Sequence, residues 1–209
     1  MRIFKVNPKH PDLNVIGLAA NVIRMGGFVV YPTETCYALG VNALDPRAVL
    51  ELYRLKKRSL SKYITMALSD VRELDKYAVW EARYDALIKR FLPGPVTFIM
   101  HKKRLVPDIL NPTAVGIRIP NNDIARLLID KTGVPVTATS ANISGAPQSY
   151  EVEAIVRYFG EGVDVILDAG KLPCRPPSTI VDLTGPKPVL IREGAVPFAE
   201  ILRVLRETA

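Results

Sequence analysis

The chain has 209 residues, 48% of them hydrophobic and 7% aromatic, with a formal net charge of +7. This composition is typical of a folded protein rather than a disordered one, and no apolar stretch is long enough to cross a bilayer. The two cysteines, Cys36 and Cys174, provide neither a disulfide framework nor zinc-ligand spacing. We therefore expect a soluble, cytoplasmic protein with no membrane partner and no protein metal site. Its positive charge suits RNA or nucleotide phosphates, although an ordinary surplus of surface lysine explains it equally well.

The first half of the chain predicts alternating strands and helices. Apolar residues at three- and four-residue steps after Asp12 are typical of an amphipathic helix, which ends at Gly26. Asp45 followed by Pro46 indicates a helix start, with an N-cap and a proline in the first turn. The predicted elements are a strand at 1–6, a helix at 13–23, a buried strand at 28–31, a helix at 45–55, a strand at 64–68, a helix capped by Ser69 and a helix at 81–91.

In the second half, after the helix-breaking segment 93–95, some strands follow one another directly. The predicted elements are strands at 96–100 and 115–119, a helix around 124–128, a strand at 134–137, a helix at 151–158, strands at 165–167, 179–183 and 189–191, and a helix at 198–205. Strands that alternate with helices predict an α/β fold, and adjacent strands predict antiparallel pairs. We therefore expect one α/β domain over 1–209, with its core at 12–196 and a mixed sheet flanked by helices.

A turn rich in hydroxyl and amide groups follows the strand at 134–137. It contains Thr139, Ser140 and Asn142, and we call it the hydroxyl-rich turn. Because parallel-sheet proteins bind ligands just beyond the carboxyl ends of their strands, these groups suit phosphate or sugar oxygens. The alternative is a polar loop that caps the helix beginning near Ser149.

Other candidate side chains lie where predicted strands or helices end. Lys56, Arg58 and Lys62 form a basic cluster after a helix, a pattern that also suits ordinary interaction with the helix C-terminus. Arg118 is flanked by apolar strand residues, so its guanidinium needs an anionic partner or access to solvent. The remaining candidates are three hydroxyls and a guanidinium at strand ends: Thr33, Thr35, Ser178 and Arg192. Together these loops suggest one anion-binding cleft.

Several common catalytic patterns are absent from the sequence. It has no phosphate-binding loop ending in Gly-Lys-Ser/Thr, no GxGxxG, no GxSxG and no HExxH. The two histidines, His10 and His101, are not next to an obvious nucleophile. We therefore do not expect histidine catalysis, and the sequence leaves the catalytic residues unassigned.

Seven short motifs occur in the order found in one known family. They are PTETCYALG at 32–40, KxR at 56–58, PGPVTF at 93–98, GIRIP at 116–120, SANISG at 140–145, STI at 178–180 and RxG at 192–194. On these motifs the chain resembles the YrdC family, whose active members are L-threonylcarbamoyladenylate synthases. The resemblance implies a single α/β domain with a basic concave groove.

The resemblance also implies an activity and its partners. The reaction joins L-threonine, bicarbonate and ATP into threonylcarbamoyl-AMP with release of pyrophosphate, and Mg²⁺ is expected. The product would serve modification of adenosine 37 in tRNA, completed by a partner transferase. Residues implied in nucleotide binding are Lys56, Arg58, Lys62, Thr139, Ser140, Asn142 and Arg192, and those implied in binding threonine or its carbamate are Thr33, Thr35, Arg118 and Ser178.

The segment after Arg58 departs from the pattern of many family synthases. They carry a proline after the Lys-x-Arg pair, then an Asn-Pro or Lys-Pro step and a histidine, where this chain has Ser59, Tyr63 and Ala67. In this segment the chain looks more like the YciO branch. Two alternatives therefore remain open: an ATP-using enzyme with another acceptor, and a protein that binds double-stranded RNA or tRNA without chemistry.

Overall fold

The structure is a computed structural model that describes residues 1–207. Its α-helices are α1 Leu13–Arg24, α2 Pro46–Leu55, α3 Leu74–Tyr77, α4 Asp85–Phe91, α5 Asp123–Thr132, α6 Val152–Phe159 and α7 Phe198–Glu207. Its strands are β1 Arg2–Lys5, β2 Val29–Pro32, β3 Tyr37–Gly40, β4 Met66–Ala67, β5 Ala78–Val79, β6 Val96–Lys102, β7 Ala114–Arg118, β8 Val136–Thr137, β9 Thr139–Ser140, β10 Val165–Asp168, β11 Thr179–Asp182 and β12 Val189–Arg192.

The strands form two mixed sheets. The first has the order β1-β10-β2-β3-β9, in which β1, β10 and β2 are parallel and β3 is antiparallel to both neighbours. The second has the order β12-β11-β6-β7-β4-β8, with β5 paired to β6. Residues 136–140 pass from one sheet to the other, because Thr137 pairs with β4 and Thr139 pairs with β3. The predicted mixed α/β fold is confirmed, with two sheets where the sequence suggested one.

Hydrophobic side chains fill two layers. Val30 and Leu39 of the first sheet lie in the same core as Phe98 and Ile117 of the second. On the other face of the first sheet, neighbouring strand residues such as Val29 pack with side chains of α1 and α5. The first sheet is therefore buried on both faces, which leaves its strand ends as the accessible polar positions.

Several local predictions need correction. Strand β3 was not predicted, because all four of its residues are buried and show no alternation of apolar and polar positions. The cap after β4 is Asp70, whose carboxylate accepts from the Arg72 amide, while Ser69 instead donates to Glu73. The predicted strand at 64–68 is reduced to Met66–Ala67.

Two helix starts also differ from the predictions. The helix expected at 81–91 begins with a 3₁₀ turn, Ala82–Tyr84, before α4. The hydroxyl-rich turn does not cap a helix near Ser149, since α6 begins at Val152 and the Ser149 hydroxyl donates to the Ala141 carbonyl at 2.7 Å. No helix within residues 1–207 combines the length and apolar character that spanning a membrane requires.

Candidate functional site

A cleft of about 130 Å³ lies where strand ends of the two sheets meet. Seven of the side chains predicted from the sequence line it: Thr35, Arg58, Arg118, Thr139, Ser140, Ser178 and Arg192. A smaller adjoining chamber of about 20 Å³ is lined by Thr33 as well as by Thr35 and Arg118. Residues separated by up to 159 positions in the sequence (33 to 192) therefore meet at one site.

Lys56 does not line the cleft directly but lies beneath the hydroxyl-rich turn. Its side chain is buried, and Nζ donates to the backbone carbonyls of Ser140 at 2.5 Å and Asn142 at 2.6 Å. Burial, with a smaller effect of the nearby Arg58 charge, lowers the pKa of Lys56 to about 7. Two of the three ammonium hydrogens form the hydrogen bonds that hold the turn.

The hydroxyl-rich turn is also held from within. The Ser140 hydroxyl donates to Oδ1 of Asn142 at 2.5 Å, and Nδ2 of Asn142 donates to the Ala146 carbonyl. Asn142 is buried, whereas Thr139 and Ser140 are half-buried and face the cleft. Asn142 thus orients the Ser140 hydroxyl, which lies at the cleft wall.

Arg58 is fixed at the mouth of the cleft by backbone oxygens. Its Nε donates to the Lys62 carbonyl and its Nη2 to the Tyr63 carbonyl, both at 2.8 Å. Lys62 therefore contributes a backbone oxygen, while its own side chain is exposed and does not line the cleft. Partial burial lowers the pKa of the Arg58 guanidinium, which favours an anionic ligand beside it.

Arg118 and the two threonines form the inner end of the cleft. The Thr33 hydroxyl lies 3.0 Å from that of Thr35 and donates to the Cys36 carbonyl at 2.7 Å, which closes a tight turn after β2. Nη2 of Arg118 donates to the Thr35 hydroxyl at 3.1 Å. Glu34, between the two threonines, lies 2.9 Å from the same Nη2. The anionic partner that the sequence required for Arg118 is therefore present.

Ser178 and Arg192 form the opposite wall. Arg192 donates through Nη2 to both the carbonyl and the hydroxyl of Ser178, at 2.7 and 3.1 Å. The same hydroxyl lies 3.1 Å from that of Thr97 in β6. Burial, followed by the charges of Arg118 and Arg58, lowers the pKa of Arg192. Three guanidinium groups thus face one cleft, and an anion placed between them reduces their repulsion.

Gly194 packs closely against the backbone of Pro177 and Ser178 in this wall. A Cβ at Gly194 would lie 2.1 Å from the Pro177 carbonyl oxygen and 2.7 Å from the Ser178 carbonyl carbon. Gly194→Ala should therefore lower the free energy of unfolding by about 2 kcal/mol or more, because backbone atoms cannot give way as a side chain does. Denaturant unfolding measures this.

The matched control for that prediction is Gly185→Ala. The nearest neighbour to its added Cβ is the Lys187 carbonyl oxygen at 3.9 Å, an ordinary contact distance. This variant should stay within about 0.5 kcal/mol of the parent. Equal stabilities of the two variants would contradict the close approach at Gly194.

Sequence reasoning did not assign several residues of the site, four of which bear on its chemistry. Cys36, Tyr63 and Gln148 line the cleft, and Glu34 pairs with Arg118. Cys36 and Glu34 lie within the motif at 32–40, so that motif was the available signal for them. Burial raises the pKa of the Cys36 thiol, which opposes a thiolate role. No pattern in the sequence pointed to Gln148.

Residues 1–207 contain no group of three or more His, Cys, Asp or Glu side chains placed to hold an ion. The cleft lining is instead rich in guanidinium and hydroxyl groups. Such a lining fits a metal ion that arrives on the phosphates of a nucleotide, where phosphate and water oxygens are its ligands.

Comparison with known proteins identifies close relatives. The Sua5/YciO/YrdC family model, described as "Telomere recombination", matches residues 21–194. A protein of Methanocaldococcus jannaschii, provisionally named a threonylcarbamoyl-AMP synthase, is 36% identical over 97% of this chain and 96% of its own length.

Two solved structures have the same fold. That of Pyrococcus abyssi Sua5 complexed with L-threonine has a TM-score of 0.94 and 34% identity, and the match covers 100% of this chain and 62% of that one. Escherichia coli YciO has a TM-score of 0.86 and 30% identity, with 94% and 97% covered. This chain therefore spans less than two thirds of Sua5 but almost all of YciO.

Proposed function

The chain belongs to the Sua5/YciO/YrdC family, and we propose that it makes L-threonylcarbamoyladenylate from L-threonine, bicarbonate and ATP, with release of pyrophosphate. The observation that carries the proposal is the cleft, in which three guanidinium groups and several hydroxyls converge. The solved complex of the P. abyssi relative contains L-threonine, which supports the same amino acid here.

The chemistry suits this set of residues. An amine and CO₂ form a carbamate without an enzymatic nucleophile, so no covalent intermediate is needed. The harder step is attack of the carbamate oxygen on the α-phosphorus of ATP, in which the bond to pyrophosphate breaks. Two anions must approach each other for this step, so positive groups and positioning lower its barrier.

In this proposal two sets of side chains in the cleft bind different substrates. Arg58 and Arg192 bind the phosphates, and Thr139 and Ser140 contact the nucleotide. Lys56 and Asn142 act through the hydroxyl-rich turn that they hold. Lys62 contributes its positive charge at the mouth. The amino-acid side consists of Thr33, Thr35, Arg118 and Ser178. Mg²⁺ enters on ATP and neutralises phosphate charge.

The proposal extends to the fate of the product. Threonylcarbamoyl-AMP is a mixed anhydride that transfers its acyl group to an amine, and the proposed acceptor is adenosine 37 of tRNA, through a partner transferase. We propose that one domain carries the whole site and that it works in the cytoplasm, where tRNA is found.

The test is pyrophosphate release by the purified chain with Mg²⁺. Release should require ATP, L-threonine and bicarbonate together, and omission of any one should reduce it to background. Mass spectrometry of the product should show threonylcarbamoyl-AMP. Pyrophosphate release that does not respond to threonine would contradict the proposal.

A second candidate is an ATP-using enzyme of this fold with another acceptor. The observation in its favour is Tyr63, an exposed aromatic ring at the cleft where many family synthases have proline, together with the full-length match to YciO. The same assay with the other amino acids in place of threonine distinguishes the two. Release supported by another amino acid, and not by threonine, would favour this candidate.

A further inference from the structure

The pair Glu34–Arg118 is unusual for a buried ion pair. The side chains are 10% and 9% exposed, and Oε1 of Glu34 lies 2.9 Å from Nη2 of Arg118. Nevertheless, neither Glu34 oxygen nor Nε of Arg118 makes a hydrogen bond with any residue in 1–207. Buried polar atoms in native proteins are nearly always hydrogen-bonded, so these three need an explanation.

Stability alone does not explain the pair. Removing two charges from water is costly, and the attraction between them repays it only when the remaining lone pairs and protons are also hydrogen-bonded. Here the charges attract without an aligned hydrogen bond. Two apolar side chains of similar volume would stabilise this position at least as well. The pair therefore suits a functional role.

The position of the pair indicates that role. Glu34 lies in the turn between β2 and β3 of the first sheet, and Arg118 is the last residue of β7 in the second. The turn is fixed, because the Thr33 hydroxyl accepts from the amides of Thr35 and Cys36. The pair thus holds a guanidinium of one sheet against a rigid turn of the other.

Only one member of the pair faces the space where a ligand binds. Arg118 lines both the cleft and the inner chamber, whereas Glu34 lines neither. Arg192 lies at the same cleft, and its positive charge repels that of Arg118. A carboxylate behind Arg118 opposes that repulsion and keeps the guanidinium directed into the inner chamber.

We propose that Glu34 is a positioning residue that holds Arg118 for the carboxylate of the amino-acid substrate. This rests on the proposed function. Glu34 acts through Arg118 and does not touch the ligand. Its loss should therefore weaken amino-acid binding while leaving ATP binding and the chemical step nearly unchanged.

The test compares Glu34→Gln, which keeps the size and removes the charge, with Glu161→Gln in the exposed 3₁₀ turn Gly160–Gly162. Calorimetric titration of the full chain with L-threonine should give a dissociation constant about tenfold higher for Glu34→Gln and unchanged for Glu161→Gln. In the pyrophosphate assay, KM for threonine should rise by about the same factor, with kcat and KM for ATP within about twofold.

A double substitution separates positioning from direct contact. In an Arg118→Ala background, Glu34→Gln should change threonine affinity no further, because Glu34 then has no guanidinium to hold. A full additional loss would mean that Glu34 contacts the ligand, and would overturn the proposal. If Glu34→Gln does not fold, Glu34→Asp replaces it. That variant keeps the charge and should bind threonine more tightly than an Arg118→Ala variant.

The remaining outcomes separate this proposal from the proposed function. Unchanged threonine affinity in folded Glu34→Gln overturns the role of Glu34 and leaves the synthase activity standing. Threonine binding that depends on Glu34, without pyrophosphate release by the parent chain, overturns the activity and supports the role of Glu34. A parent chain that binds no threonine overturns both.

Discussion

Arg58→Ala should lower kcat/KM for ATP by about 100-fold, as expected for loss of a positioned cation that stabilises developing charge on phosphate oxygens. Two backbone carbonyls hold Nε and Nη2 of Arg58 at 2.8 Å, and Nη1 has no partner among residues 1–207. The guanidinium is therefore immobilised with one edge available to a phosphate. The measurement is pyrophosphate release at varied ATP, with threonine and bicarbonate saturating.

Two further variants define what Arg58 contributes. Arg54→Ala removes an exposed arginine from α2, the helix that precedes Arg58; its only ion pair among residues 1–207 is with Glu51 at 2.5 Å. It should leave kcat/KM within about twofold, since exposed pairs contribute little. Arg58→Lys keeps the charge but cannot donate to both carbonyls in the same planar geometry, so we expect partial activity. An Arg58→Ala variant as active as Arg54→Ala would exclude Arg58 from phosphate binding.

Much of the site could be predicted because its residues lie next to strong local signals. Thr33 and Thr35 follow a buried strand and a proline, and Ser178 precedes another strand. Polar groups at strand ends meet at the edge of a sheet, so a shared cleft follows from the order of elements. The prediction of a cleft is thus largely a consequence of strand periodicity and turn residues.

The remainder depends on contacts between distant segments, which periodicity does not encode. Strand β3 is buried on both faces and therefore lacks an alternating pattern. The Glu34–Arg118 pair joins two sheets across 84 positions, and its geometry follows from sheet packing. For Lys56, the sequence indicates a cation at a helix end but not that its ammonium turns inward to the carbonyls of Ser140 and Asn142.

Lys56→Met should lower kcat/KM for ATP by roughly 100-fold through the hydroxyl-rich turn. Methionine fills similar space, but it removes the ammonium donor: the Asn142 carbonyl then has no donor among residues 1–207, and the Ser140 carbonyl keeps only the Asn142 amide. An unpaired buried carbonyl costs about 1–3 kcal/mol, so the turn should shift and carry the Ser140 hydroxyl away from the cleft. Lys89→Met, at an exposed position in α4, is the control and should retain full activity.

The difference in stability between the parent and this variant should depend on pH, in a direction that the pKa of Lys56 determines. The pKa of Lys56 is lowered from 10.5 to about 7 in the folded chain, first by burial and then by Arg58. Between those values the unfolded chain binds more protons than the folded one, so the contribution of Lys56 to the free energy of unfolding rises with pH. Other titrating groups are common to both proteins and cancel in the difference. The unfolding free energy of the parent minus that of Lys56→Met should therefore increase from about pH 7 towards pH 10.5.

A difference that stays constant over this range would mean that the two carbonyls keep Lys56 charged despite its burial, with the turn held equally well at alkaline pH.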